Sequence, residues 1–197
     1  MQQFEKIHQL LGRLSLWAVW AGGAALMLSA IMVTIDVLSR KYLNVTMSGS
    51  DEITGYVFAG ATTWAYAYCL LHRSNIRIDA FYNFLPVSLR AVLDIVALIA
   101  LLIFMGFFTE KAVAVVADSW ANNSVSVTTL LTPLWIPQIV WLTGLIFFNI
   151  TLIFLIVYTA LSFIVSGPGS VQKLAGTRSV QEEVVDETKG IKEMSQQ

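Results

Sequence analysis

The sequence predicts an all-α membrane protein of four transmembrane helices with both termini in the cytoplasm, and three observations predict it. Four long apolar stretches, at residues 14–38, 53–71, 91–117 and 136–165, take up most of the 197 residues. A bilayer core about 30 Å thick needs roughly 20 apolar residues per helix, and each stretch is near or above that length. Hydrophobic residues make up 56% of the chain and charged residues 13%, a balance suited to spans surrounded by lipid or by other spans. Residues 119–172 contain no Asp, Glu, Lys, Arg or His. What remains outside the spans is too short for a separate soluble catalytic domain. The single cysteine, Cys69, lies inside the second stretch, so the sequence offers neither a disulfide framework nor a thiolate metal site.

Orientation follows from the basic residues. Lys6, Arg13, Arg73, Arg77, Arg90, Lys173, Arg178, Lys189 and Lys192 fall on one side of the four spans, and Arg40, Lys41 and Lys111 on the other. The positive-inside rule then places the termini and the middle connector in the cytoplasm.

Taken in order, Phe4, Ile7 and Leu11 of residues 1–13 fall at helical spacing with Leu14, which suits either a short helix lying in the membrane interface or a simple extension of the first span. The first stretch outruns the 7–15 residues of a signal-peptide core and reads as an uncleaved helix. At its far end Asp36 and Arg40 share a face, four residues apart. Asp51 and Glu52 open the second span, where they meet the positive end of its dipole and come within reach of Arg40 or Lys41 if the two spans are neighbours. This cluster reads as an electrostatic clasp between helices, with an ion or proton site as the alternative.

The second span carries small residues every four positions, Gly55, Ala59, Thr63 and Ala67, a stripe that admits another helix backbone. The connector that follows, residues 72–86, holds Asn75, Arg77 and Asp79 before Leu85 and Pro86 and is expected to lie along the membrane surface. Glu110 and Lys111 sit toward the outer end of the third span. Adjacent residues do not share a helix face, so mutual pairing is not expected and Glu110 reads as a contact to another helix. Thr132, Pro133 and Pro137 set the start of the fourth span, where proline leaves no additional donor unsatisfied. After residue 165, the run Ser166-Gly167-Pro168-Gly169-Ser170 breaks the helix, and residues 166–197 are expected to form a disordered cytoplasmic tail. The domain layout is thus 1–13, 14–165 and 166–197.

No catalytic, substrate-binding or metal-ligating residue is proposed. The only histidines, His8 and His72, lie outside the apolar stretches, so a transmembrane haem pair is missing, and there is no P-loop, Gly-x-Ser-x-Gly elbow or HExxH motif. No internal repeat is evident.

Arg40 after the first span, the Asp51-Glu52 pair, the run Asn75-Ile76-Arg77-Ile78-Asp79 before Leu85-Pro86, and Thr132-Pro133-Leu134-Trp135-Ile136-Pro137-Gln138 before the fourth span occur in an order that resembles one family. It is the small membrane subunit, the DctQ-like or Q-type permease, of tripartite ATP-independent periplasmic (TRAP) transporters. The resemblance covers residues 14–165, with one departure: many relatives have a histidine where this chain has Asn75. It implies an accessory subunit in the bacterial cytoplasmic (inner) membrane, bracing the scaffold of a large permease subunit during ion-coupled uptake of an organic acid. A periplasmic substrate-binding protein would deliver that acid. The coupling ion, usually sodium, would be held by the large subunit, and this chain would need no cofactor. Membrane lipids are the remaining partner, and nucleic acid is not one. On the same resemblance Arg40, Asp51 and Glu52 form an outer network, Asn75, Arg77 and Asp79 shape the connector, and Gly55, Ala59 and Thr63 make a helix contact. Two other readings stand beside it: a stand-alone four-helix homodimeric exporter, which would need a carboxylate near the bilayer centre, and a membrane anchor of a redox complex, which would need haem ligands.

Overall fold

The computed structural model describes residues 2–74 and 85–176. They form four long helices and one short one: α1 (Gln2–Tyr42), α2 (Ser50–Leu71), α3 (Val87–Ala121), α4 (Trp135–Ser166) and α5 (Pro168–Ala175). Local chemistry sets the boundaries. Gly49 precedes α2 with φ +94°, a left-handed conformation that favours glycine, and Asp51 and Glu52 fill the first turn of α2. Pro86, extended at φ −64° and ψ 151°, precedes α3. Pro137 stands third in α4, where its missing N–H is one that no helix carbonyl would have accepted. Gly167, at φ 78°, ends α4 with its N–H on the Phe163 carbonyl at 3.1 Å.

In space the helices form a row in the order α1, α2, α4, α3, with α5 against α3 and α4. α1 and α2 are antiparallel, with Gly22 facing Ala61 near mid-helix and Asp36 facing Ser50 at one end. α2 and α4 run parallel, and α3 returns antiparallel to α4, pairing Thr109 with Asn149 and Trp120 with Trp135. The end that carries the α1–α2 and α3–α4 loops is called the loop end below. The opposite end holds the start of α1, the end of α2 and α5.

Beside the α1–α2 contact, two further seams hold the row. Leu98, Met105 and Ala112 of α3 pack on Leu145, Phe148, Leu152 and Leu155 of α4, with Leu70 of α2 joining them. The α2–α4 seam is tighter. A Cβ at Gly144 would stand 2.8 Å from Trp64 Cδ1 and 2.9 Å from Thr63 Cβ, so only a glycine lets the backbones come this close. Trp64 closes the same seam, donating its indole N–H to the Val140 carbonyl at 3.1 Å and stacking on Phe147 at 5.5 Å. Away from the loop end, Phe4 of α1 reaches over to stack on Tyr158 of α4 at 5.8 Å.

Three of the helices, α1, α3 and α4, are long and apolar enough to cross a membrane. At 22 residues, or about 33 Å, α2 is also long enough for the core, but its Thr, Tyr and Gly residues keep it out of that set. Its place explains its composition: flanked by α1 and α4, it needs small side chains for close packing more than apolar ones for lipid. α1 is the opposite case, with only 6% of its apolar window buried against 33% in α4.

Two expectations are refined. Residues 2–13 are not set off as an interfacial segment, because α1 continues unbroken for 41 residues, about 60 Å. The break after residue 165 occurs at Gly167, but the chain turns directly into α5, whose Val171 is fully buried. The predicted tail is therefore helical at its start; beyond residue 176 it lies outside the described residues, as do Asn75, Arg77 and Asp79 of the connector.

The seam predicts a contrast between two glycines. Gly144→Ala should lower stability by about 1–3 kcal/mol through overpacking against Thr63 and Trp64. Gly106→Ala, in open space on α3, should be neutral or gain up to about 1 kcal/mol from helix propensity. Thermal unfolding of both variants in the same detergent checks this.

Candidate functional site at the loop end

The polar residues of the loop end are fixed by two carboxylates, Asp36 and Glu52. Asp36 is placed by the last turns of α1 and is 2% exposed. Its carboxylate accepts three hydrogen bonds: from Arg40 Nη2 at 2.6 Å, from the Met47 backbone N–H at 2.6 Å, and from Ser50 Oγ at 2.9 Å. One buried anion thereby ties the end of α1, the α1–α2 loop and the first residue of α2 together. A buried carboxylate needs this saturation, since each missing donor would leave charge desolvated without return.

Glu52 works at longer range. It accepts from Tyr56 Oη at 2.6 Å, one helical turn on, and from the Thr128 hydroxyl in the α3–α4 loop. That loop is closed on itself by an antiparallel bridge between Val125 and Pro133, by Ser126 N–H to the Thr132 carbonyl at 2.9 Å, and by Leu134 N–H to the Ser124 carbonyl at 3.0 Å. Ser126 Oγ lies 2.9 Å from Thr128 Oγ1 and accepts the Thr132 N–H at 3.3 Å, so the hydroxyl that meets Glu52 is itself held in place. Ser48 and Thr129 join the two loops through their hydroxyls. The Thr128 hydroxyl, followed by that of Tyr56, holds the Glu52 carboxyl down to about 2 from an ordinary 4.5.

The expected clasp of Asp51 and Glu52 with Arg40 or Lys41 is therefore arranged differently. Arg40 pairs with Asp36 on its own helix, Lys41 sits over the Tyr42 ring at 5.4 Å, and Asp51 is exposed. Thr132 and Pro133 close the α3–α4 loop, and Pro137 lines a cleft between α1, α2 and α4. Along α2, Gly55 is exposed with nothing near it, Ala59 is half-buried, and Thr63 is buried against Gly144. A four-residue step advances about 40° beyond a full turn, so a stripe read at that spacing winds off the contact. Gly60, in van der Waals reach of Val140, and Ala61, against Gly22, carry the packing beside Thr63 and the fully buried Ala67 of the stripe. Glu110 and Lys111, not expected to pair, are joined at 3.2 Å on the exposed side of α3; two flexible side chains bridge what backbone geometry separates.

Sequence reasoning did not single out Ser50, Ser126 or Thr128. The signal available was the run of hydroxyls at Ser124, Ser126, Thr128, Thr129 and Thr132, in a segment without any charged residue. Such donors suit a carboxylate brought from elsewhere. Around them the loops present apolar side chains to solvent, among them Leu43, Val45 and Met47 on one loop and Val127 and Leu131 on the other. Exposed apolar surface held on a rigid polar base is the usual form of a protein-contact surface.

A family model described as "Tripartite ATP-independent periplasmic transporters, DctQ component" matches residues 29–164, from the second half of α1 to the last turn of α4. No curated protein and no solved structure matches the chain.

Glu52→Gln should free the α3–α4 loop, seen as roughly tenfold faster hydrogen exchange at the Ser126 and Leu134 amides. In the unaltered chain, a carboxyl whose folded value is depressed contributes fully above its unfolded value and loses that contribution as pH falls toward its folded one. Loop protection should therefore hold from pH 7 to 5 and fall away from about 4.5 toward 2. In Glu52→Gln this pH dependence should vanish.

Proposed function

Because the chain belongs to the DctQ component family of tripartite ATP-independent periplasmic transporters, we propose that it is the small permease subunit that braces the large one during ion-coupled uptake of an organic acid. The family is a transporter component and not an enzyme family, and the chain is a multi-pass membrane protein. On this reading α2 is the fourth span, the loop end faces the periplasm of a bacterial inner membrane, and both termini face the cytoplasm. The distribution of basic residues supports that orientation.

The observation that carries the bracing role is that the long helices are unbroken and locked to one another at both ends. Asp36 and Glu52 are committed to holding loops, and the Phe4–Tyr158 stack ties α1 to α4 at the opposite end. Transport sites in secondary carriers are built from interrupted helices near the midplane, with polar groups available to the cargo. Here the midplane polar contact is Asn149 with Thr109, 2.8 Å apart and turned between α3 and α4. A rigid row suits a part that stays still while another moves. The acid and its coupling ion, sodium, then belong to the large subunit, and the apolar loop tips offer the periplasmic binding protein a place to rest.

Purification of the tagged chain from its native membrane in mild detergent should recover a large multi-spanning permease in similar amount. Recovery of a homo-oligomer alone would overturn the reading. Charge reversal by Glu52→Arg should reduce both that recovery and substrate uptake by cells, whereas normal assembly and uptake would remove the loop end from the mechanism.

A further inference from the structure

At the end opposite the loops, a cavity of about 490 Å³ opens between the start of α1, the end of α2 and α5. Its polar wall is made of His8, Gln9 and Arg13 from α1 and of His72 and Arg73 from the end of α2, and no carboxylate among the described residues lines it. Leu16, Leu71 and Leu174 form its apolar wall. The two histidines are the only ones in the chain, and the topology brings them to one cavity from positions 64 residues apart in sequence.

We propose that this cavity binds the phosphate of a membrane phospholipid, with anionic headgroups preferred. Its depth is the first reason. Arg13 immediately precedes the apolar stretch of α1, and His72 immediately follows that of α2, so the polar wall lies at the level where spans give way to headgroups. The division of its lining is the second: guanidinium and imidazole nitrogens on one side for phosphate oxygens, leucines on the other for the glycerol and first acyl carbons. The third is that the polar groups are positioned. His72 stacks on Tyr68 at 3.8 Å and holds that residue's carbonyl with Nδ1 at 3.1 Å, which fixes its ring. Arg73 adopts φ 53° at the end of α2, where glycine is the favoured residue, so an arginine is kept at a conformational cost. Arg73 has interactions of its own; Arg13, exposed at the mouth, is the cation the site adds to the phosphate layer.

Native mass spectrometry of the full chain, purified in mild detergent with any subunits that accompany it, tests the proposal. The probes are phosphatidylglycerol, phosphatidylcholine and inorganic phosphate, each titrated alone. Phosphatidylglycerol should bind more tightly than phosphatidylcholine, and Arg13→Gln and His72→Gln should each weaken it about fivefold, while Lys41→Gln, a charge-matched change at the loop end, should not. Helix content measured on each variant separates a lost site from a lost fold, and Arg13→Lys should keep most of the binding. Inorganic phosphate binding with the same variant pattern, without retention of either lipid, would overturn the lipid assignment in favour of a soluble phosphate. Equal lipid retention in Arg13→Gln, His72→Gln and the unaltered chain would overturn the site.

Discussion

The approach of α2 to α4 at Gly144 is the contact on which the rest of the structure depends. α1 packs along α2 and α3 packs along α4, so the two halves of the row are joined along their length through that one seam. In lipid there is no hydrophobic gain from bringing helices together; close packing and hydrogen bonds must do it. Gly144 permits the approach, Thr63 keeps its hydroxyl on the Ala59 and Gly60 carbonyls of its own helix at 3.0 Å, and Trp64 closes the seam with a hydrogen bond to Val140. The chain thus sets the helix that is richest in small residues at this seam between two others.

Polar chemistry is spent at the helix ends, and it is spent on position. Asp36 binds neighbours in sequence, and Glu52 binds a loop 76 residues away. The first makes a local corner; the second makes the two loops one platform. Because both carboxylates are saturated by donors, the apolar tips above them are carried on a surface that resists rearrangement. That combination supports the bracing role proposed above.

Much of this could be read from the sequence, and the reasons it stops are physical. α1, α3 and α4 announce themselves by apolar length, and Pro86, Pro137 and Gly167 mark helix ends because their backbones allow little else. The Asp36–Arg40 pair was legible because its spacing is a property of one helix. Which neighbour a side chain meets is a property of the assembled row. The sequence therefore points Glu52 to the nearest basic residues, whereas its partners are Tyr56 and a hydroxyl of a distant loop. A four-residue stripe on α2 finds the buried Thr63 and Ala67 but also the exposed Gly55, while Gly144, which lies on the partner helix, gives no signal by itself. The helical start of the tail was hidden by the Gly and Pro residues that stop α4 but do not prevent a second helix from beginning.

The parallel arrangement of α2 and α4 bears on how the protein is made. A chain emerges N-terminus first, and α2, the long helix outside the set apolar enough to cross a membrane, appears more than 60 residues ahead of the helix that shields its second flank. During that interval α1 is the surface it has to lean on, through Gly22 and Ala61 at mid-helix and Asp36 with Ser50 at the corner. The corner that later steadies the loops is thus also the first tertiary contact available in synthesis. The hairpin of α1 and α2 is the unit that must hold together in the membrane until α4 arrives.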